Sequence, residues 1–278
     1  MDYEKLSPDR KAVVDKIIEY ERIGAFDKDV EVDPPTKILL PDQVDYLNKK
    51  LSSKIKSYFA NRAAVRYFEK EFRKKRLVYG DVIGLENFTK VKGGAIVTCN
   101  HFSIYDHYVV YKTFAPYLRR GKIYKVIREG NYTSMEGVFG TFFRHCNTLP
   151  LSSSIETMKK FLEAMRVLLE RGEKILVYPE QAMWWNYKKP RPMKNGAFKF
   201  AVKNNVPIIP VFITLKEYGT YNADGSPVYI YNVNIGEPIC QKTELSEKEN
   251  TEYLKNTNYE IWKKVYETYY GKKLVYGE

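Results

Sequence analysis

Residues 93–106 read GGAIVTCNHFSIYD, and this stretch decides the fold. Its first half is a short apolar run opened by two glycines, which predicts a buried strand over residues 93–99. Its second half is polar and predicts a turn that leads into a helix. In α/β sheets, ligands bind where such strands end. His101 and Asp106 therefore fall where a functional site is expected.

Outward from this stretch, strand and helix patterns alternate along the chain. Further strands are predicted at residues 123–127, 148–151, 174–178, 206–214 and 228–235, and helices at 155–171, at 196–204 and from Ser246 onward. Such alternation predicts an α/β sheet covered by helices. We assign this sheet to a domain of residues 81–245, and residues 246–278 to a C-terminal helix that packs on it.

Residues 1–80 are predicted to form a helical attachment. Ser7-Pro8-Asp9 predicts the start of a first helix, in which Ser7 or Asp9 supplies the cap oxygen and Pro8 fits the first turn. Residues 24–41 are predicted to be a loop. A second helix is expected to start at Pro41-Asp42 and to continue to Phe72, with acidic residues near its positive end.

The positive charge is concentrated in that second helix. The chain carries a net charge of +12, and residues 49–76 hold eleven basic and two acidic residues, a net of +9. Apolar residues recur there in steps of three and four, at Val44, Leu47, Leu51, Ile55, Tyr58, Phe59, Phe68 and Phe72. A basic amphipathic helix suits an anionic membrane surface. A helix that packs on the next domain with a solvated basic back is an equally weighted alternative.

Composition narrows the class of protein and its location. Hydrophobic residues at 44% and charged residues at 29% are typical of a folded globular chain. Cys99, Cys146 and Cys240 have no paired spacing, which favours a reducing compartment. No apolar run opens the chain, and its longest apolar stretch, residues 206–215, is too short to cross a bilayer. We expect a cytoplasmic protein on the inner face of the cell membrane.

Two polar groups at predicted strand ends could carry chemistry. Asp106 can accept a hydrogen bond from one ring nitrogen of His101 and leave the other free as a base. Spacing alone is weak support, because a surface histidine beside a capping aspartate is common. Glu180 follows the strand at 174–178 and could orient a hydroxyl. A metal site at His101, Asp106 and His107 is disfavoured, since adjacent side chains diverge on a helix.

Taken together, the polar groups form an ordered set of blocks. The blocks are Asn100-His101 with Asp106, Tyr178-Pro179-Glu180, Lys194-Asn195-Gly196, VPIIPV at residues 206–211 and GEPI at residues 236–239. In order and spacing they resemble the glycerolipid acyltransferase family, typified by bacterial 1-acylglycerol-3-phosphate acyltransferases. The resemblance covers about residues 81–240. It implies a glycerol-phosphate-acyltransferase-like mixed sheet covered by helices.

The resemblance also implies a reaction. His101 would take a proton from an acceptor hydroxyl, Asp106 would orient the imidazole, and Glu180 would hold the acceptor's hydroxyls. Asn100 and Gly196 are expected to help bind substrate. The acyl donor would be a thioester of acyl carrier protein or coenzyme A, the acceptor a lysophosphatidic acid or related lysolipid, and no metal or further cofactor is expected. An anionic membrane is the expected partner, and nucleic acid is not.

The chain departs from the family where phosphate-binding arginines are expected. Residues 181–183 read Gln-Ala-Met instead of Gly-Thr-Arg, and residues 147–153 hold no basic residue. Other cations could substitute: Arg128, Arg144, Lys188, Lys189, Arg191 or Lys194. Alternatively, the acceptor is a lysophospholipid or glycolipid without a free phosphomonoester, or the protein is a catalytically silent lipid-binding relative. Trp184 and Trp185 could pack on a lipid or sugar, although core packing is slightly favoured.

Overall fold

A computed structural model describes residues 2–32 and 35–277. Its helices are α1 Pro8–Arg22, α2 Leu51–Arg73, α3 Leu85–Lys90, α4 Asp106–Phe114, α5 Glu129–Thr133, α6 Gly137–His145, α7 Ile155–Glu170, α8 Gly196–Lys203 and α9 Glu247–Tyr270. Its strands are β1 Val78–Ile83, β2 Ala95–Cys99, β3 Ile123–Ile127, β4 Thr148–Pro150, β5 Lys174–Val177, β6 Ile208–Tyr221 and β7 Pro227–Ile235.

The seven strands form one mixed sheet in the order β1-β7-β6-β2-β5-β3-β4. All neighbouring strands run parallel except β6 and β7, which are antiparallel. The prediction of a mixed sheet covered by helices is confirmed. Because β2, β5 and β3 are parallel neighbours, their carboxyl ends meet at one edge of the sheet. We call it the catalytic edge because His101 and Asp106, the expected base and its partner, follow β2 there. The amino ends of the three strands meet at the opposite edge.

Helices cover both faces of the sheet, as the alternation of apolar side chains requires. On one face Ile96 and Ile175 pack against Phe161 of α7, Phe198 of α8 and Trp262 of α9. On the other face the alternate positions pack with α3 and α4, whose Phe88 and Phe114 stack at 3.8 Å. Successive residues of each central strand therefore pack into two different cores. This alternation fixes the register of the central strands.

One helix start and one helix cap differ from prediction. The second helix begins at Leu51 and not at Pro41, because the Asp45 carboxylate accepts the backbone N–H groups of Lys49 and Lys50 and holds residues 41–50 as turns. Ser7 occupies the N-cap of α1 but its side chain makes no cap hydrogen bond. By contrast, Ser246 and Glu249 form a complete capping box at α9.

Strand β1 crosses the predicted boundary between residues 80 and 81. It pairs with β7 at the end of the sheet, and Gly80 lies so close to Asn232 that a Cβ would come within 2.2 Å of the amide oxygen. That oxygen accepts the backbone N–H of Asp81. The division into residues 1–80, 81–245 and 246–278 remains a prediction. Residues 1, 33, 34 and 278, which fall in the terminal segments and in the loop predicted at 24–41, lie outside the described residues.

The basic helix α2 packs by only part of its length. Ala60 and Phe68 are buried among Tyr108 of α4 and Phe142 of α6. The apolar residues of its first half are exposed by about half or more: Leu51 71%, Ile55 49%, Tyr58 56% and Phe59 64%. One half of the helix therefore packs on the domain and the other half presents apolar side chains outward, and its binding to a membrane stays a prediction.

Candidate active site

The turn between β2 and α4 brings His101 and Asp106 together at the catalytic edge. Nδ1 of His101 lies 2.7 Å from Oδ2 of Asp106. Asp106 is the first residue of α4, so its carboxylate sits at the positive end of the helix. The same oxygen accepts the backbone N–H groups of Phe102 at 3.1 Å and Ser103 at 3.2 Å. Hydrogen bonds to the Asp106 carboxylate therefore hold the turn in place.

Tyr178 completes the surroundings of this pair. Its hydroxyl donates to Oδ1 of Asp106 at 2.7 Å, and its ring stacks on the imidazole of His101 with 4.0 Å between centroids. Burial, with the Asp106 charge nearby, raises the pKa of the Tyr178 phenol well above its usual value, so the hydroxyl remains a donor. Asp106 is fully buried, whereas the His101 side chain is 23% exposed.

This geometry leaves one nitrogen of His101 available. Because Asp106 receives Nδ1–H, Nε2 is the nitrogen with the free lone pair. No residue within 2–32 or 35–277 hydrogen-bonds to Nε2. A partly exposed imidazole whose far nitrogen is fixed by a buried carboxylate can act as a general base toward an approaching hydroxyl.

The nearby nucleophiles are unsuited to covalent catalysis. Cys99 is fully buried, and burial raises the pKa of its thiol well above the usual value, so it does not form a thiolate. The hydroxyl of Ser103 accepts hydrogen bonds from Tyr231 and from the backbone of Tyr105, and Ser103 is buried. Neither side chain is therefore suited to serve as a nucleophile that His101 could activate.

Glu180 lies beside His101 and contacts its backbone. Its Oε2 accepts the backbone N–H of His101 at 3.0 Å and an N–H of the Arg191 guanidinium at 3.0 Å, and its Oε1 accepts the backbone N–H of Arg191 at 2.7 Å. Glu180 is 3% exposed and Arg191 is 1% exposed. Both carboxylate oxygens are therefore engaged by the protein, which differs from the expectation that Glu180 holds the acceptor's hydroxyls.

Asn100 and Gly196 also have positions that the sequence did not show. The buried amide of Asn100 exchanges two hydrogen bonds with the backbone of Ile213, so it ties β2 to β6. Gly196 begins α8, and nothing lies within 4 Å of the place that a Cβ would take. In this structure Asn100 is a sheet-linking residue, and Gly196 faces open space.

Each predicted substitute cation contacts another group of the protein. Arg128 pairs with Asp29 at 2.7 Å, and Lys194 pairs with Asp27 at 3.1 Å. Arg144 donates to the backbone carbonyls of Tyr132 and Met135. Of the remaining candidates, Lys189 pairs with Glu21, Arg191 is buried against Glu180, and Lys188 lies over the Tyr229 ring.

Trp184 and His107 were also considered as possible ligand-binding residues. Trp184 is fully buried with Ile17 and Val30, and its indole donates to the backbone carbonyl of Lys28. This confirms core packing for Trp184. Burial lowers the pKa of His107 well below its usual value. In the described ranges no group of three or more His, Cys, Asp or Glu side chains could hold a metal ion.

Comparison with known proteins agrees with the geometry. Residues 80–214 match the sequence model of the Acyltransferase family. The 1-acyl-sn-glycerol-3-phosphate acyltransferase BAT2, chloroplastic, of Brassica napus is 29% identical over 153 residues. Over these residues the chain is similar to the glycerolipid acyltransferase family. The match covers 52% of this chain and 40% of the Brassica protein, so the chain spans less than half the length of that relative.

A solved acyltransferase shares the fold. The crystal structure of the 1-acyl-sn-glycerophosphate acyltransferase PlsC from Thermotoga maritima superposes with a TM-score of 0.50 and 22% sequence identity. The superposition covers 77% of this chain and 79% of that chain. The glycerolipid acyltransferase fold expected from the ordered blocks is confirmed.

Sequence reasoning missed two members of the site. Tyr178 was noted only as part of a block, and its bond to Asp106 joins residues 72 apart, so no local pattern indicates it. Arg191 was considered only as a phosphate ligand. Its pairing with Glu180 joins residues 11 apart across an irregular loop, and no local pattern indicates such a contact.

Proposed function

We propose that this protein is an O-acyltransferase that moves a fatty acyl group from a thioester to a hydroxyl of a lysolipid. The observation that carries the proposal is the 2.7 Å contact between His101 and Asp106 at the end of β2 within an acyltransferase-family domain. The acyl carrier is acyl carrier protein or coenzyme A, as expected for the family. A lysophosphatidic acid is the first acceptor to test, because the Brassica relative is named for it.

The proposed step needs no acyl-enzyme. Nε2 of His101 removes the proton of the acceptor hydroxyl as its oxygen attacks the thioester carbonyl. The new C–O bond forms, the C–S bond breaks, and the imidazolium returns the proton to the departing thiolate. Asp106 stabilises the transient imidazolium and keeps the ring oriented. Glu180 and Tyr178 act as positioning residues, because they hold the backbone of His101 and the carboxylate of Asp106.

A second acceptor class is favoured by the paired cations. A phosphomonoester needs cations to bind it, preferably arginine in bidentate geometry. Arg191 is buried, and Arg128 and Lys194 each pair with an aspartate of residues 24–32. A lysophospholipid or glycolipid acceptor has no free phosphomonoester and does not need such cations to bind. A catalytically silent lipid-binding relative is the third alternative, and turnover with any donor and acceptor would eliminate it.

We also propose that the protein docks on an anionic membrane surface through the first half of α2. Exposed Leu51, Ile55, Tyr58 and Phe59 lie on a helix rich in lysine and arginine. Such a helix lies in the membrane interface with its apolar side chains inserted. None of the described helices is both long enough and apolar enough to span a bilayer. We place this surface on the inner face of the cell membrane.

The proposed reaction is tested by substituting the base. His101→Ala is expected to lower acyl transfer about a thousandfold or more, since proton abstraction by His101 would be lost. Labelled acyl-carrier-protein and acyl-coenzyme A donors would be offered with lysophosphatidic acid, a lysophospholipid and a glycolipid, and the products read by lipid mass spectrometry. His145→Ala, which changes a histidine on α6, serves as the matched control. Near-normal transfer by folded His101→Ala protein would refute the mechanism.

A further inference from the structure

A second charged site lies at the sheet edge opposite the catalytic one. A cavity of 440 Å³ opens there beside the amino ends of β3 and β5. Glu173 precedes β5, whereas Tyr178 follows it. Five residue steps of about 3.3 Å place the two ends of this strand roughly 17 Å apart. The cavity is therefore separate from the His101 site.

The cavity gathers cations from three parts of the chain. Its charged lining residues are Lys54 of α2, Arg119 and Arg120 from the turn before β3, Lys122, Arg171 after α7, and Glu173. These are five cations and one acid. A cavity lined mainly by one sign of charge concentrates ions of the opposite sign.

Most of these cations have no acidic partner. Arg119 pairs with Glu173 at 3.3 Å. For Lys54, Arg120, Lys122 and Arg171, no ion pair occurs with any residue of the described ranges. Oε2 of Glu173 is buried and also has no hydrogen-bond partner there. The cavity thus holds unused cationic groups together with a buried oxygen that lacks a donor.

The composition of the cavity favours phosphate over other anions. Guanidinium groups match phosphate oxygens in bidentate geometry, and three of the five cations are arginines. A 440 Å³ concavity can admit a small headgroup, whereas an acidic helix of a carrier protein needs an open surface. Burial raises the pKa of the Glu173 carboxyl, and in its protonated form that carboxyl can donate to a phosphate oxygen.

One lining residue of the cavity belongs to α2, the helix that carries the exposed apolar side chains. Lys54, which lines it, lies three residues after Leu51 and one before Ile55, both of which are exposed. An amphiphile could place its charged group among the arginines and its chains against these side chains. We propose that this cavity binds the phosphate headgroup of an anionic phospholipid and orients the protein on the bilayer. The proposal rests on the membrane docking proposed above and not on acyl transfer.

The test compares vesicle binding by two variants of equal charge. Arg120→Gln/Arg171→Gln removes two exposed cations of the cavity, and Lys203→Gln/Lys264→Gln removes two exposed lysines elsewhere. Co-sedimentation would use phosphatidylcholine vesicles with and without phosphatidic acid. The cavity variant is expected to bind phosphatidic-acid vesicles about 30-fold more weakly than the lysine variant, at about fivefold for each of the two cations. Equal loss in the two variants would overturn the proposal.

Two further probes identify the occupant. If inorganic phosphate binds the cavity by NMR titration while both variants bind vesicles equally, the site takes free phosphate and the lipid assignment is wrong. If the cavity variant loses affinity for acyl carrier protein but not for vesicles, the partner is the carrier and the lipid assignment is again wrong. Circular dichroism confirms that each variant is folded.

Acyl transfer to a water-soluble, short-chain acceptor separates this site from the catalytic one. The cavity variant is expected to retain that transfer. His101→Ala protein is expected to lose transfer and still bind phosphatidic-acid vesicles like the wild type. Loss of vesicle binding in the His101→Ala protein would overturn the separation, whereas loss of transfer alone bears only on the proposed reaction.

Discussion

The charged side chains at the two edges of the sheet differ in whether they have partners within the protein. At the catalytic edge, the Asp106 carboxylate accepts hydrogen bonds from the imidazole, from two backbone N–H groups and from a tyrosine hydroxyl. Glu180 pairs with Arg191 in the interior. At the opposite edge, four of five cations around the 440 Å³ cavity have no acidic partner among residues 2–32 and 35–277. The groups proposed to act in the reaction are thus held in place by the protein, whereas most of the cations proposed to bind a headgroup have no acidic partner there.

The largest effect is expected from changing how Asp106 holds the imidazole. Asp106→Asn keeps the size of the side chain but presents an amide, which no longer fixes Nδ1–H and leaves Nε2 in the wrong protonation state. Acyl transfer is expected to fall by about 10³–10⁴-fold. Single-turnover kinetics would measure this, with the exposed Asp81→Asn as a control of identical chemistry. A loss of less than tenfold would show that the carboxylate is not needed for the base.

The next effect concerns stability at the same edge. Glu180→Gln leaves the Arg191 guanidinium buried without its counter-charge, and the free energy of unfolding is expected to fall by about 3–5 kcal/mol. Chemical denaturation would measure it. Glu163→Gln, which breaks an exposed pair with Arg166, is the matched control and should leave the denaturation midpoint unchanged. Equal midpoints for the two variants would mean that the buried pair does not stabilise the catalytic loop.

The smallest effect is expected from breaking an ion pair between the N-terminal loop and a cation that could otherwise bind the acceptor. Asp27→Asn removes the ion-pair partner of Lys194. The backbone of Lys194 is hydrogen-bonded to Pro179, next to Glu180 at the catalytic edge. The KM for lysophosphatidic acid is expected to fall roughly threefold, in line with the modest strength of an exposed ion pair. The KM for a glycolipid acceptor should not change. Asp42→Asn is the control, and an unchanged KM for lysophosphatidic acid would show that Lys194 does not contact the phosphate.

Local patterns in the sequence predicted most of the fold. The apolar runs at β2, β3 and β5, the one-sided helix α7 and the Ser246 cap of α9 depend on neighbours within a few residues, and each lies close to its predicted position. Strand β1 was missed because Gly80 and Asp81 interrupt its apolar alternation. Its pairing with β7 decides its conformation, and that partner lies about 150 residues further along the chain.

The candidate site was predictable only where its contacts are local. His101 and Asp106 are five residues apart, so one turn brings them together, and the sequence pattern anticipated their contact. Glu180, Arg191 and the aspartates that pair with Arg128 and Lys194 meet through tertiary packing. Charge counts along the chain therefore showed which cations exist, but not which of them the fold had already neutralised.

The separation of the two edges is tested most directly by measuring acyl transfer to a soluble acceptor and binding to phosphatidic-acid vesicles on the same protein samples. His101→Ala should abolish transfer and leave vesicle binding intact, and Arg120→Gln/Arg171→Gln should do the reverse. A matching loss of both properties in either folded variant would contradict the assignment of catalysis to one edge and membrane recognition to the other.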